Sequence, residues 1–559
     1  MACVFKTIAR ITVLLLICRG ANAQNNAVPF LNQSLLPASV APGSKSFPLI
    51  VTGTGFAHAA VVKWNGAPLS TKFVSSSRLK AAISAAEVSA AKTASITVTN
   101  PAPGGGTSNV VFFPVTESSS AIGMAISQPF PDAYAVAVGD FNNDGNQDVA
   151  WVSTSGLNLS LGDGNGGFQA PIPSEGACEL QIVTGDFNGD GKLDLACLTF
   201  GTCTVLLGNG DGTFTQSFYV DPFDGGASGL ATADFNQDGH LDLYIAGWET
   251  GPMFFDIYLG NGDGTFNYAS EYLTGEYDGY GVTAQNPAIG DFNRDGYLDL
   301  VVAGNPSDNE GTIEIFLGGP NGQFSESGTI SAFDPVNLAA ADVNNDGKLD
   351  LVTDSGCAFL GNGNGTFGLC IAISYGEVAG IADFNGDGEL DIAEGNGSAS
   401  VSLGAGNGTF PSSFSFVAGS GSFLYPGGIA DFNNDGELDI VVPGGYVFIQ
   451  TTVDLEPVSM AFGTLTVGTT SAPQKATLTN VGSSSLAIKG VGIAGTGAKN
   501  FSEKNDCGAS LAAGSSCTIS VTFAPLSGGS FTPSLTVSYE GTASPQRVSL
   551  SGKAEKPSI

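Results

Sequence analysis

Histidine is nearly absent from this chain: among 559 residues only His58 and His240 occur, far apart in sequence. An imidazole-built zinc site and a Ser-His-Asp triad therefore lack their parts. Basic residues are almost as scarce through the middle, where 44 acidic residues between 121 and 450 face only Lys192, Arg294 and Lys348. Such a surface repels phosphate backbones and anionic lipid, which argues against nucleic acid as a partner. Long apolar runs are missing too. "ITVLLLIC" (11–18) falls far short of the roughly 20 residues a membrane helix needs, so no membrane insertion is expected. It follows Lys6 and Arg10 and precedes "ANA" (21–23), the pattern of a Sec-type signal peptide over 1–23. The expectation is a secreted or cell-surface-associated protein.

What the chain has in abundance is glycine and aspartate, and they cluster. "GDFNGDGKLDLAC", from Gly185, places Asp186, Asn188, Asp190 and Asp194 at positions 1, 3, 5 and 9 of one short loop. Two carboxylates about 4 Å apart repel by roughly 4 kcal/mol at an effective dielectric near 20. A cation among them removes that cost. Odd-numbered oxygen ligands with glycine at position 6 are how a calcium loop turns around a hard cation. An EF-hand would add Glu at position 12 and a helix, but Cys197 stands there and "LDLACL" reads as a strand.

The loop occurs seven times, at intervals of 41 to 57 residues. The predicted ligands are Asp140, Asn142, Asp144 and Asp148 in the first copy, then Asp186, Asn188, Asp190 and Asp194 in the second. The third and fourth supply Asp234, Asn236, Asp238 and Asp242, and Asp291, Asn293, Asp295 and Asp299. The fifth and sixth supply Asp342, Asn344, Asp346 and Asp350, and Asp383, Asn385, Asp387 and Asp391. Asp431, Asn433, Asp435 and Asp439 complete the set, for about seven Ca2+ ions. Position 7 varies freely, as a backbone-only ligand would. Six loops are followed by a glycine-rich element such as "LGNGDGTF", read as a hairpin turn because no helix follows to cradle a phosphate.

Each unit offers four short strands, and a period of 40–50 residues with that content reads as propeller blades. The seventh unit has only three strands, and "AIGMAISQPF" (121–130) is the candidate that would close the ring. The D-x-N-x-D-G-x-x-D loops over 121–451 resemble the FG-GAP/VCBS repeats of integrin α chains and many bacterial surface proteins. The resemblance implies a calcium-binding β-propeller.

Two flanking segments read as strands broken by turns. Residues 28–115, with "VTGTGF", "WNG" and "TNPAPGGGTSN", resemble the IPT/TIG immunoglobulin-like sandwich. Residues 455–553, with "ATLTNVGSSSLAI" and "NDCGASLAAGSSCTISVTFAP", resemble the ASH-like domains of exported proteins. The fold class is thus all-β: a seven-bladed β-propeller flanked by two immunoglobulin-like β-sandwiches. Cysteine usage fits an oxidising compartment. Cys507 and Cys517 bracket a short hairpin and are expected to pair; Cys197 with Cys203 and Cys357 with Cys370 are further candidates, leaving Cys178 over.

No catalytic constellation shows itself, since nearly every regularly placed Asp is assigned to calcium, and the chain reads as a non-enzyme. The expected function is binding or adhesion to an extracellular protein or glycan. The alternatives are a structural envelope or matrix protein and a propeller-based carbohydrate-active enzyme. The ligand surface is expected opposite the calcium loops, where the longest interval supplies "GWETGPMF" (247–254) and "EYDGYGVTAQ" (276–285) with Trp248, Tyr277 and Tyr280.

Overall fold

A computed structural model describes residues 25–119, 122–174, 178–221, 226–248, 252–276, 286–304, 311–332, 337–373, 376–395, 398–418, 426–457, 459–482, 485–539 and 544–556. The signal peptide expected at 1–23 lies outside them. The described chain is all-β, and the repeat region forms seven four-stranded antiparallel sheets. The second is representative, running Gln181–Gly185, Asp194–Leu198, Cys203–Gly208 and Phe214–Val220 in chain order across the sheet. Every residue of Asp194–Leu198 is buried. Covered on both faces, that strand has no need to alternate polar and apolar residues.

First strands of successive sheets touch from the first sheet to the third and from the fourth to the seventh, and that of the seventh, Gly428–Ala430, touches that of the first, Ala135–Gly139. The seventh sheet takes its fourth strand from the far end of the repeat region. Gly123–Ser127 pairs antiparallel with Tyr446–Thr451, from Gly123 opposite Thr451 to Ser127 opposite Val447. The closing strand expected at 121–130 is therefore in place. This is the architecture of a β-propeller.

Glycine-rich hairpins join strands three and four, and they also lock neighbouring sheets. Gly264 N–H donates to Phe187 O (3.1 Å), Gly365 to Phe292 O (3.0 Å) and Gly166 to Phe432 O (3.0 Å). Each bond runs from a hairpin to the loop of the preceding sheet, the last from the first sheet to the seventh. A Cβ on Gly264 would meet Leu207 and Ser217 of the neighbouring sheet at 2.8 Å, so glycine is required there for close approach as well as for its φ of 81°.

Before the propeller, two sheets share one core of Leu49, Val62, Trp64, Val98 and Phe113. Trp64 is a packing residue of this N-terminal module. Its first strand is Phe30–Leu36. After the propeller, two further sheets close around Leu478, Ile519, Phe523 and Val548.

Disulfides join Cys357 to Cys370 and Cys507 to Cys517 as expected. The expected Cys197–Cys203 pair does not form: Cys197 bonds Cys178, and Cys203 is a buried free thiol. Strand register gives the reason. Leu198 lies opposite Cys203, so the adjacent Cys197 points to the other face of the sheet. Cys178 approaches on that face, with Cα atoms 5.1 Å apart.

Candidate metal centres

All seven loops share one backbone-bonded geometry between the first and second strands. The position-1 carboxylate accepts N–H bonds at both oxygens, from positions 5 and 6, at 2.7–3.1 Å. The position-3 Asn oxygen accepts the same position-5 N–H. Position 5 in turn accepts from position 7. The loop is a chain of Asx turns, which is why Asp and Asn recur at odd positions.

Position 9 lies beneath. Asp148, Asp194, Asp242, Asp299, Asp350, Asp391 and Asp439 are each 0% exposed. One oxygen accepts the position-2 N–H. The other accepts a backbone N–H of the third strand or its end, from a glycine in six sheets and Gln450 in the seventh. A single aspartate thus ties loop, second strand and third strand together.

Burial pushes these carboxyls up: Asp148 and Asp194 to about 6, Asp299 and Asp350 to about 7. Asp242, Asp391 and Asp439 are also pushed well above the ordinary carboxylate range, by burial and then by neighbouring loop carboxylates. Such a site is short of positive charge. An ionised carboxylate has about four acceptor positions, so positions 1 and 9 keep oxygen lone pairs beyond their N–H bonds. Oxygen-only donors suit a hard divalent cation rather than a thiophilic one. Among the described residues, the one acid or thiol group with three ligand atoms within 4.8 Å is Asp506 with Cys507 and Cys517, and those cysteines are oxidised. No repeat loop gathers its three carboxylates that closely.

Position 7 pairs with position 5 of its own loop in two cases, Lys192 with Asp190 (3.1 Å) and Lys348 with Asp346 (2.8 Å), and accepts from a neighbouring loop in two others, Asn146 from Asn434 (3.1 Å) and Glu389 from Asn345 (2.5 Å).

The sequence reading missed two features. The N-terminal module sits on the loop side: Val28 N–H donates to Asp234 (2.7 Å), Thr93 N–H to Asp431 (3.2 Å) and the Ser39 hydroxyl to Asp383. A polar chain also runs along the starts of the first strands. Gln181 donates to Leu230 O (3.0 Å) and Asn286 (2.6 Å), Asn286 to Asn337, and Asn337 to Glu377. Gln181, Asn286 and Asn337 each stand five residues before a first loop ligand, a repeat signal that could have found them.

The expected ligand residues fare differently. Trp248 is half-buried and ends the strand Asp242–Trp248, opposite Gly226 and Met253, so it belongs to a sheet and not to a long loop. Two long strands, Pro252–Gly260 and Phe266–Glu276, absorb much of the extra length of this unit. Tyr277 and Tyr280 lie outside the described residues.

Comparison with known proteins follows the same division of the chain. The FG-GAP-like repeat family matches residues 140–197, 186–245, 246–302, 291–353 and 383–442. The HYDIN/CFA65/VesB-like, Ig-like domain family matches 451–553. No curated protein matches the chain. Among solved structures, an Agrocybe aegerita lectin recognising non-reducing terminal N-acetylglucosamine is similar at 16% identity and TM-score 0.36, covering 65% of this chain and 95% of its own. An auxiliary nutrient binding protein from Bacteroides thetaiotaomicron is similar at 12% identity and TM-score 0.31, covering 76% and 98%. The chain thus contains five matches to FG-GAP-like repeats, within 140–353 and 383–442, and a HYDIN/CFA65/VesB-like, Ig-like domain at residues 451–553.

Proposed function

We propose that this is an exported, calcium-loaded, non-catalytic binding protein, built as a closed seven-bladed propeller between an IPT/TIG-like N-terminal module and the C-terminal Ig-like domain. The calcium reading rests on the sevenfold recurrence of Asp and Asn oxygens at positions 1, 3, 5 and 9. Asp and Asn at positions 1, 3, 5 and 9 hold the ion and supply its charge balance, and its own contribution is to offset the burial that disfavours ionised carboxylates at positions 1 and 9. The observation that carries the binding role is the N-terminal module over the loops, through Val28, Ser39 and Thr93. With the third, sixth and seventh loops engaged on that side, the opposite face is the one assigned to an extracellular protein or glycan. No membrane-crossing role is assigned; among the described residues no helix is long and apolar enough to span a bilayer.

Two measurements test this reading. Calorimetry should find about seven calcium ions, with affinities of about 10⁻⁵–10⁻³ M; two sites or fewer would defeat the all-loop assignment. A glycan array probed with and without calcium separates a glycan partner from a protein one. Replacing Trp248, Tyr277 and Tyr280 together by Ala should then abolish binding, and unchanged binding by a folded variant removes this face.

A further inference from the structure

Three of the seven loops differ from the other four in what lies against them. In the third loop, Asp234 Oδ2 accepts both Gly239 N–H (2.9 Å) and Val28 N–H (2.7 Å). In the seventh, Asp431 Oδ2 accepts Gly436 N–H (2.9 Å) and Thr93 N–H (3.2 Å). In the sixth, Asp383 Oδ2 accepts Gly388 N–H (2.7 Å) and the Ser39 hydroxyl, while Ser119 N–H donates to Asn385 O (2.7 Å). Glycines report the contact in the third and seventh loops at position 6 and in the sixth at Gly386, whose Cβ would meet Thr116 and Glu117, while at Gly388 nothing lies within 4 Å. A Cβ on Gly239 would run into Gly104 and Asn26, and one on Gly436 into Ala91 and Lys92. At Gly145, Gly191, Gly296 and Gly347 nothing lies within 4 Å.

We propose that the N-terminal module is a cap whose docking and the calcium loading of the third, sixth and seventh loops favour one another. This inference rests on the calcium reading above. The module also packs Phe30, Ala38 and Phe112 against apolar clusters of the propeller, but its bonds from Val28, Ser39 and Thr93 go to first-ligand carboxylates, so this part of docking recognises the closed loop. Without a cation the carboxylates of a loop repel, and a loop that opens carries Asp234, Asp383 or Asp431 away from its donor. A cation held through the remaining oxygens keeps the carboxylate where Val28, Ser39 and Thr93 meet it. Linkage then requires the reverse effect: the docked module raises calcium affinity at those three loops. The other four loops, with no such contact from the module at their first ligands among the described residues, are expected to load independently of it.

The test is hydrogen exchange on the full chain during a calcium titration, followed in parallel by calorimetry. Protection of segments 26–31 and 91–96 should rise with calcium, because Val28 and Thr93 N–H are themselves the docking bonds. Gly436→Ala and Gly296→Ala form a matched pair, with φ of 97° and 95° and only the first against the module. Gly436→Ala should abolish protection at 91–96, and Gly296→Ala should leave it unchanged. Should the glycine variants fail to fold, Ser39→Ala removes one donor hydroxyl and should weaken calcium at the sixth loop about fivefold or more. Calcium-dependent heat with unchanged or falling protection at both segments overturns the coupling and leaves the calcium reading standing. No calcium-dependent heat at all overturns both.

Discussion

Replacing Asp194 by alanine removes the acceptor of two buried backbone donors, Phe187 N–H at 2.8 Å and Gly208 N–H at 2.7 Å. Each buried donor left without a partner costs about 1–3 kcal/mol. Relief from burying the carboxyl, which burial raises to about 6, offsets part of this, so the expected net loss without metal is about 2 kcal/mol. Asp190 supplies the contrast. It sits in the same loop, but its ion pair to Lys192 is solvent-exposed on both sides and is worth about 0–1 kcal/mol. Both variants lose the second loop's calcium linkage, about 2.7 kcal/mol at a hundredfold excess of calcium over Kd. Urea denaturation followed by circular dichroism, in chelator and in calcium, reads all four numbers. Asp190→Ala should lie near wild type in chelator and fall only in calcium; Asp194→Ala should fall in both. Equal stability of the two variants in chelator would refute the structural role assigned to position 9.

Glu377 gives a pH dependence, since burial and then the Asp354 charge raise its carboxyl to about 8 against an ordinary 4.5. A raised folded value means ionisation opposes folding, so this group's stabilising effect is full below about 4.5 and lost as pH climbs toward 8. Denaturation across that window should show a slope of up to about 1.4 kcal/mol per pH unit that Glu377→Gln removes. Deleting 121–130 should destabilise the propeller far more than deleting 28–115, because only the former strips the fourth strand from the seventh sheet; equal melting temperatures would contradict ring closure. Burial pushes the Cys203 thiol up to about 12, so a thiol reagent should find no reactive cysteine in the folded mature protein and one after denaturation. Peptide mapping without reduction should recover Cys178 linked to Cys197.

The repeated loops and their strands were legible because their causes are local. Asp and Asn at odd positions close Asx turns on backbone two to four residues away, and glycine at position 6 answers a positive φ within the same turn. The closing strand was legible as well, since a missing fourth strand in a repeated count points to its replacement. The Cys178–Cys197 bond was not, because sequence spacing brought Cys197 near Cys203 and only strand register turned the two to opposite faces. Trp248 looked like a loop residue until strand pairing extended its sheet past it. The cap over the loops had no local sign: Val28 meets Asp234 across 206 residues of chain, and Val28 and Thr93 act through backbone N–H groups that nearly every residue carries. Sequence alone determined the repeated unit and its chemistry, whose interactions lie within a few residues; tertiary structure alone decided which loops are covered, because that depends on where two separately folded modules meet.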